Sequence, residues 1–257
     1  MNEEDKQPFT QHLEELRKRL ITSFIAVGIG FVACYAFKEK LFYVLVAPLK
    51  KAMRSGDTLI YTHLPEAFFT FLKTALISGI ILASPVLLYQ FWMFIAPGLY
   101  DREKKLLIPI LFLSTLFFTG GALFGYFIVF PWGFKFFLSF ATDTIRPMPS
   151  MREYLGFAAK LLLAFGIVFE LPLVITFLAR LGIVSVEFLK KYRKYAILIF
   201  FVGAAILTPP DVVTQIMMAL PLMLLYEISI IGARIFGKSR DEIQDDDESA
   251  EQDAGSA

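Results

Sequence analysis

Long apolar segments bounded by charged residues restrict this chain more than any other feature. Apolar residues make up 56% of the sequence, and 28 of its 257 residues are Phe. A helix needs about 20 apolar residues to cross a bilayer, and only helices and closed barrels satisfy all backbone polar groups in lipid. The sequence therefore predicts an all-α polytopic membrane protein with six transmembrane helices. The predicted spans are 20–37, 68–96, 107–130, 154–179, 195–208 and 212–233.

The predicted spans differ in length and in their breaking residues. At about 1.5 Å per residue, the segment 195–208 reaches only about 21 Å, which favours a locally thinned bilayer. The turn Thr208-Pro209-Pro210-Asp211 separates it from the sixth span, because Pro cannot continue a helix. Pro85 and Pro172 lie inside the second and fourth spans and predict kinks there.

The loop charges predict an orientation, since cytoplasmic loops carry an excess of Lys and Arg. One set of loops contains 15 of these residues and the other contains 8, so both termini are expected in the cytoplasm. The first set comprises 1–19, 97–106, 180–194 and the residues from 234 onward. The second comprises 38–67, 131–153 and the Pro209 turn.

Three regions follow from the composition. Residues 1–19 are expected to form a cytoplasmic amphipathic helix that leads into the first span, and 20–237 the six-helix transmembrane domain. Residues 238–257 are acidic and polar, which predicts a disordered cytoplasmic tail. In the outer loop 38–67, apolar residues at helical spacing predict a short amphipathic helix on the membrane or capping the bundle.

Several classes of function are disfavoured. A net charge of +1 gives no support for nucleic-acid binding, and a single cysteine, Cys34, gives none for a disulfide or a thiolate metal site. The chain lacks the Gly-x-x-x-x-Gly-Lys-Ser/Thr pattern of nucleotide hydrolases. His12 and His63 are far apart and outside the spans, which argues against an intramembrane hydrolase. No enzymatic activity, cofactor or metal is therefore expected.

A charged cassette, His12 to Arg19, runs directly into the first span. On a helix, His12, Glu15 and Arg19 share one face. One interpretation is an ordinary amphipathic helix whose Glu15–Arg19 pair contributes about 0.2–0.5 kcal/mol. The other is that Glu15 recognises cations, because a carboxylate at the edge of low dielectric binds them better than one in bulk water.

A second cytoplasmic motif runs from Phe91 to Lys105. Its aromatic residues are typical of interfacial anchors, Pro97-Gly98 is an ordinary helix stop, and Glu103 between cations is consistent with a solvated surface ion. The charge count nevertheless places this motif on the same membrane face as the cassette. Each offers an acidic residue beside cations and apolar groups.

A third motif, Phe169-Glu170-Leu171-Pro172, places a carboxylate within a span. Such a group costs about 2.5–3.5 kcal/mol on insertion scales and is expected to face protein or water rather than lipid. It is either a neutral, hydrogen-bonded buried acid or a functional group.

Together these motifs resemble the TatC family, the multi-spanning receptor subunits of the twin-arginine protein translocase. The resemblance rests on the cassette, the Phe94–Tyr100 run with Glu103, the Glu170 motif and the Thr208–Asp211 turn, and it covers about residues 7 to 237. It implies a concave bundle in the cytoplasmic (inner) membrane of a bacterium. It also implies binding of Arg-Arg signal peptides on folded precursor proteins, and their export driven by the proton gradient.

The resemblance also implies roles for individual residues. Glu15 and Glu103 would each receive a guanidinium, which forks onto a carboxylate through two hydrogen bonds as an ammonium cannot. Phe94 and Leu99 would contact the hydrophobic part of the signal, while His12 and Arg17 would orient the acidic site. Glu170 would face a partly wet pocket within the membrane.

Partner subunits are a further implication. Single-span TatA- and TatB-type subunits would dock along the hairpin of the fifth and sixth spans, near Thr208 and Gln215, and the chain would self-associate in a larger complex. Asp211 and Pro48 fall on positions expected to serve structure or assembly. The alternative function is a small-solute secondary transporter with Glu170 and Lys160 along the path, although the absence of an internal repeat argues against it.

Overall fold

The computed structural model describes residues 3–54, 56–95, 107–142, 144, 146–208 and 211–237, with side chains from 12 onward and not at 107. The regular structure in these residues is helical. The helices are α1 (Glu3–Tyr35), α2 (Lys38–Ala52), α3 (Glu66–Ile95), α4 (Leu107–Phe124), α5 (Phe130–Leu138), α6 (Met151–Val168), α7 (Leu171–Arg180), α8 (Val186–Lys191), α9 (Arg193–Leu207) and α10 (Val212–Phe236).

Five segments are long and apolar enough to cross a membrane, which confirms the prediction of an all-α polytopic membrane protein. They are His12–Tyr35, Glu66–Ile95, Ile108–Leu138, Met151–Arg180 and Val212–Phe236. The predicted fifth span corresponds to α9, which has 15 residues. Its length of about 22 Å is less than the hydrocarbon thickness of about 30 Å.

Two of the spans are interrupted. In the third, a π-helical turn at Gly125–Val129 separates α4 from α5, and the N–H of Phe130 donates to the carbonyl of Gly125. In the fourth, the break between α6 and α7 falls just before Pro172, which lies in the first turn of α7. N–H groups in the first turn of a helix have no partner within the helix, so a proline costs no hydrogen bond there. Pro85, by contrast, lies inside the continuous helix α3.

The chain divides into two compact units, Met1–Gly166 and Ile167–Ala257. In the first unit, α1 packs along α3 with the two backbones in close contact. A Cβ atom on Gly30 would lie 2.6 Å from the carbonyl oxygen of Gly79, and one on Gly79 would lie 2.6 Å from the backbone nitrogen of Phe31. Small residues permit this approach, which maximises van der Waals contact in the absence of a hydrophobic driving force between helices in lipid.

Helix α2 forms in the predicted outer loop and is held to the first unit by two tyrosines. Pro48 lies inside α2 and has no N–H to offer the carbonyl of Val44 one turn earlier. The hydroxyl of Tyr126 donates to that carbonyl at 2.6 Å instead, and the hydroxyl of Tyr154 donates to the carbonyl of Leu45 at 2.5 Å. Pro48 is buried, and because it lacks an N–H it leaves a backbone carbonyl available to a donor from a neighbouring segment.

In the second unit, α10 is the common partner of the other helices. It approaches α7 closely, since a Cβ atom on Gly232 would lie 2.3 Å from the hydroxyl oxygen of Thr176. The rings of Phe200 in α9 and Tyr226 in α10 lie 5.8 Å apart. The Tyr226 hydroxyl also donates to the carbonyl of Leu189 at 2.8 Å, which fixes the short helix α8.

Candidate functional site

The cassette on α1 forms an ion pair that also contacts α3. The Nε of Arg19 donates to Oε1 of Glu15 at 2.9 Å, and a terminal nitrogen of Arg19 donates to the same oxygen. The other terminal nitrogen lies 3.4 Å from Oε1 of Gln90. The pair predicted from i, i+4 spacing is therefore present, and Gln90 connects it to α3.

An open cavity of about 550 Å³ lies beside this ion pair. Its lining is polar and charged: Glu14, Glu15, Lys18, Arg19, Thr22 and Gln90. Within the described part of the chain, no hydrogen bond ends on Oε2 of Glu15, and the Glu15 side chain is 28% exposed. Arg19 thus engages one oxygen of the carboxylate, and the cavity that Glu15 lines is large enough for a guanidinium.

A ring contact joins the cassette to the second cytoplasmic motif. The rings of His12 and Phe94 are stacked, with centroids 4.4 Å apart and an interplanar angle of 26°. Two residues that the resemblance assigns to one site are therefore in contact, although 82 positions separate them in the sequence. Arg17 is exposed on α1. Glu103 and Leu99 lie outside the described residues.

Trp92 has a structural part in this region that the sequence did not indicate. Its side chain is 1% exposed, and its indole N–H donates to the hydroxyl of Ser114 at 3.0 Å. This bond ties the end of α3 to α4 on either side of the segment that carries Glu103. A tryptophan at the end of a span is typical of an interfacial anchor, so only the packing reveals that it is buried.

Glu170 is buried, with 8% of its surface exposed. It lies between α6 and α7, where its N–H donates to the carbonyl of Ile167 at 3.1 Å and its carbonyl accepts from Val174 at 2.9 Å. The backbone is thus held while the chain passes from one helix to the next. The carboxyl group is enclosed rather than exposed at the surface of the second unit.

The polar residues of the α9–α10 hairpin bond within the hairpin. Asp211 caps α10, because its carboxylate accepts from the backbone N–H of Thr214 at 2.8 Å and from the Thr214 hydroxyl. The side-chain amide of Gln215 donates to the carbonyl of Phe201 at 3.0 Å. Thr208 is buried, and its hydroxyl donates to the carbonyl of Ala204 at 2.9 Å.

Glu66 holds together the end of the first unit where α3 and α6 begin, although no sequence motif indicated it. It is 5% exposed. One carboxylate oxygen accepts from the Ser150 hydroxyl at 2.6 Å and the Arg152 N–H at 3.1 Å, and the other from the Thr62 N–H at 2.8 Å. A glutamate in the first turn of a helix is a capping signal, but its long-range partners leave no local signature.

Comparisons with known proteins agree along most of the chain. The family profile described as Sec-independent protein translocase protein (TatC) matches residues 11–221. The TatC protein of Desulforapulum autotrophicum is 68% identical, over 97% of this chain and 92% of that protein. The TatC protein of Escherichia coli K12 is 40% identical, over 94% and 95%.

A solved structure gives the same result. The crystal structure described as the twin arginine translocase receptor TatC superimposes with a TM-score of 0.80 at 46% sequence identity. The superposition covers 88% of this chain and 99% of the chain in the crystal structure. These matches do not favour the small-solute transporter. The regular structure of the described residues is helical, and several of these helices can span a membrane. Together with these relatives, this shows that the chain belongs to the TatC family of Sec-independent protein translocase proteins.

Proposed function

We propose that this translocase subunit receives twin-arginine signal peptides of folded precursors at the cytoplasmic end of α1 and α3. The observation that carries the proposal is the cavity around Glu15, in which one carboxylate oxygen is bound by Arg19 and the other accepts no bond from the described residues. A solved relative at 46% identity bears the name twin arginine translocase receptor.

The geometry suits an incoming arginine. A guanidinium presents parallel N–H donors that match a carboxylate, whereas an ammonium acts as a point charge. Arg19 partly neutralises Glu15, so an arriving arginine either shares the carboxylate through Oε2 or displaces Arg19 toward Gln90. Because the site is partly open to water, each pair is expected to contribute about 1 kcal/mol or less.

The remaining residues complete the proposed site. Glu103 takes the second guanidinium, and Leu99 joins Phe94 in contacting the hydrophobic part of the signal. His12, stacked on Phe94, and Arg17 orient the acidic groups. The stack supports this arrangement because it brings the cassette to the second motif.

Crosslinking of a photoreactive twin-arginine peptide to the full chain in membranes tests the site. Glu15→Gln is expected to lower crosslinking about fivefold, since the loss of one partly exposed ion pair corresponds to at most about 1 kcal/mol. Glu187→Gln is the matched control, as it neutralises an acidic residue in another loop assigned to the cytoplasm. A Lys-Lys peptide should crosslink weakly to the native chain. Native-level crosslinking in Glu15→Gln, at equal protein amounts, would contradict the proposal.

Glu170 is proposed to serve a later step, as a carboxyl group lining a partly wet pocket within the membrane. Its burial at a break between two helices supports this role, because an intramembrane acid is retained mainly where it faces protein or water. Glu170→Leu is expected to lower export of a folded reporter at least tenfold while peptide crosslinking at the Glu15 site persists. Normal export at equal protein levels would refute the role.

Subunit docking is proposed along the α9–α10 hairpin, where single-span TatA- and TatB-type subunits would pack. Helix α9 offers an exposed apolar row, in which Ile199 is 65% exposed and Ile206 is 74% exposed. The described side-chain hydrogen bonds of the hairpin's polar residues lie within the hairpin; these residues are Thr208, Asp211 and Gln215. We therefore infer that they shape the docking surface. Self-association into a larger complex in the bacterial inner membrane belongs to the same proposal.

A further inference from the structure

A second cavity, of about 420 Å³, lies in the first unit beside the start of α3. Glu66, Phe69, Thr70 and Lys73 line it at helical positions i, i+3, i+4 and i+7, so they share one face of α3. Arg152, from the first turn of α6, closes the other side. The backbone N–H of Arg152 donates to the Glu66 carboxylate at 3.1 Å, which brings these two helix starts together.

The charges around this cavity are unbalanced. Lys73 and Arg152 are exposed, and within the part of the chain that the structure describes neither side chain forms an ion pair. Glu66 is the acidic residue in the lining, but both of its oxygens already accept hydrogen bonds from Ser150, Thr62 and the Arg152 backbone. The cavity therefore presents two cations, and its one carboxylate is already hydrogen-bonded to protein groups.

The depth of Lys73 points to the source of the missing anion. Lys73 lies seven residues into a 30-residue span, which is about 10 Å along the helix axis. A cation on a lipid-facing position is costly unless it reaches the interface or meets an opposite charge. Since α3 is about 45 Å long and the hydrocarbon core about 30 Å thick, the backbone of Lys73 is expected near the hydrocarbon boundary, from which its long side chain reaches the phosphate layer.

We propose that this cavity binds the phosphate of an anionic phospholipid headgroup in the leaflet that the charge count assigns to the outer face. Lys73 and Arg152 would supply the positive charge. The face of α3 that carries Thr70 would form the base of the cavity. Phe69, which is 57% exposed at the cavity, would contact the glycerol and acyl carbons. A free phosphate ion offers the same charge but gains nothing from this apolar contact, so the lipid is the expected occupant. The site is separate from the signal-peptide site proposed above.

Photolabelling tests the site with the full chain in nanodiscs. The discs contain phosphatidylcholine with a minor fraction of a photoactivatable phosphatidylglycerol, and the labelled peptides are mapped by mass spectrometry. Label is expected on the segment 63–73 in the native chain. The double variant Lys73→Gln/Arg152→Gln should reduce it about 30-fold, because each cation near an anionic headgroup contributes about 1 kcal/mol.

A matched double variant, Lys135→Gln/Lys160→Gln, removes two exposed cations from spans of the same unit that do not line the cavity. It should label like the native chain. Equal labelling in both doubles would overturn the proposal, as would displacement of the label by millimolar inorganic phosphate, which would assign the cavity to the free ion. If the first double variant does not fold, Lys73→Gln alone serves, since its exposed side chain makes no described hydrogen bond, and unchanged labelling in it would be equally decisive.

Discussion

Gly79→Ala is expected to destabilise the first unit by about 3 kcal/mol, although it adds a single methyl group. The added Cβ would lie 2.6 Å from the backbone nitrogen of Phe31 and 2.8 Å from the carbonyl carbon of Gly30. Backbone atoms cannot rotate away as a side chain can, so α1 and α3 must separate along their whole contact. Overpacking of this kind costs about 1–3 kcal/mol, and rigid neighbours place it at the upper end.

Thermal unfolding of the purified chain in detergent measures this effect. At about 2–4 °C per kcal/mol for a domain of this size, the midpoint should fall by about 6–12 °C. Gly28→Ala is the matched control, because it is the same substitution in α1 with nothing within 4 Å of the added atom. That control should be neutral or slightly stabilising, since Ala is the better helix former. Equal midpoints for the two variants would show that the helices do not contact at Gly79.

Glu66→Ala is expected to have an effect of similar size, a loss of about 3 kcal/mol concentrated at the start of α3 and α6. The substitution leaves the Ser150 hydroxyl and the backbone N–H groups of Thr62 and Arg152 without their acceptor. Hydrogen bonds to a charged group contribute about 1.5–3 kcal/mol each, and partial rehydration of the donors returns some of that energy. The loops before these helices should then open to protease.

Limited proteolysis with mapping of the cut sites gives the local readout, and the unfolding midpoint gives the global one. Glu39→Ala is the matched control, because Glu39 is also in the first turn of a helix but is exposed. Glu66→Gln should recover part of the lost stability, because the amide oxygen still accepts hydrogen bonds. The recovery is incomplete because the amide NH₂ would face other donors and cannot accept from them. Resistance of the Glu66→Ala loops at the native level would contradict the role assigned to Glu66.

Local patterns predicted part of the candidate site correctly. The Glu15–Arg19 pair follows from i, i+4 spacing alone, because a helix brings such residues together whatever surrounds it. The α2 helix follows from apolar spacing in the outer loop. The cap of α10 by Asp211 was not among these predictions, since that position was expected only to serve structure or assembly.

Other features could not be predicted, since they depend on residues distant in sequence. Nothing local to Trp92 distinguishes a buried side chain bonded to Ser114 from an interfacial anchor. Likewise, a glycine in a span carries no mark of whether another backbone passes beside it. The π-helical turn at Gly125–Val129 also leaves the apolar pattern of its span unchanged.

The sequence by itself determined that this protein is a bundle of membrane helices, because lipid leaves no other solution for apolar segments of this length. It also determined which short motifs carry charge at the membrane boundary. Only the tertiary structure decided that His12 stacks on Phe94, that Gln90 contacts Arg19, and that Lys73 and Arg152 line one cavity. Those contacts depend on which helix faces pack together, and in a chain that is apolar on nearly every face, periodicity does not specify the pairing.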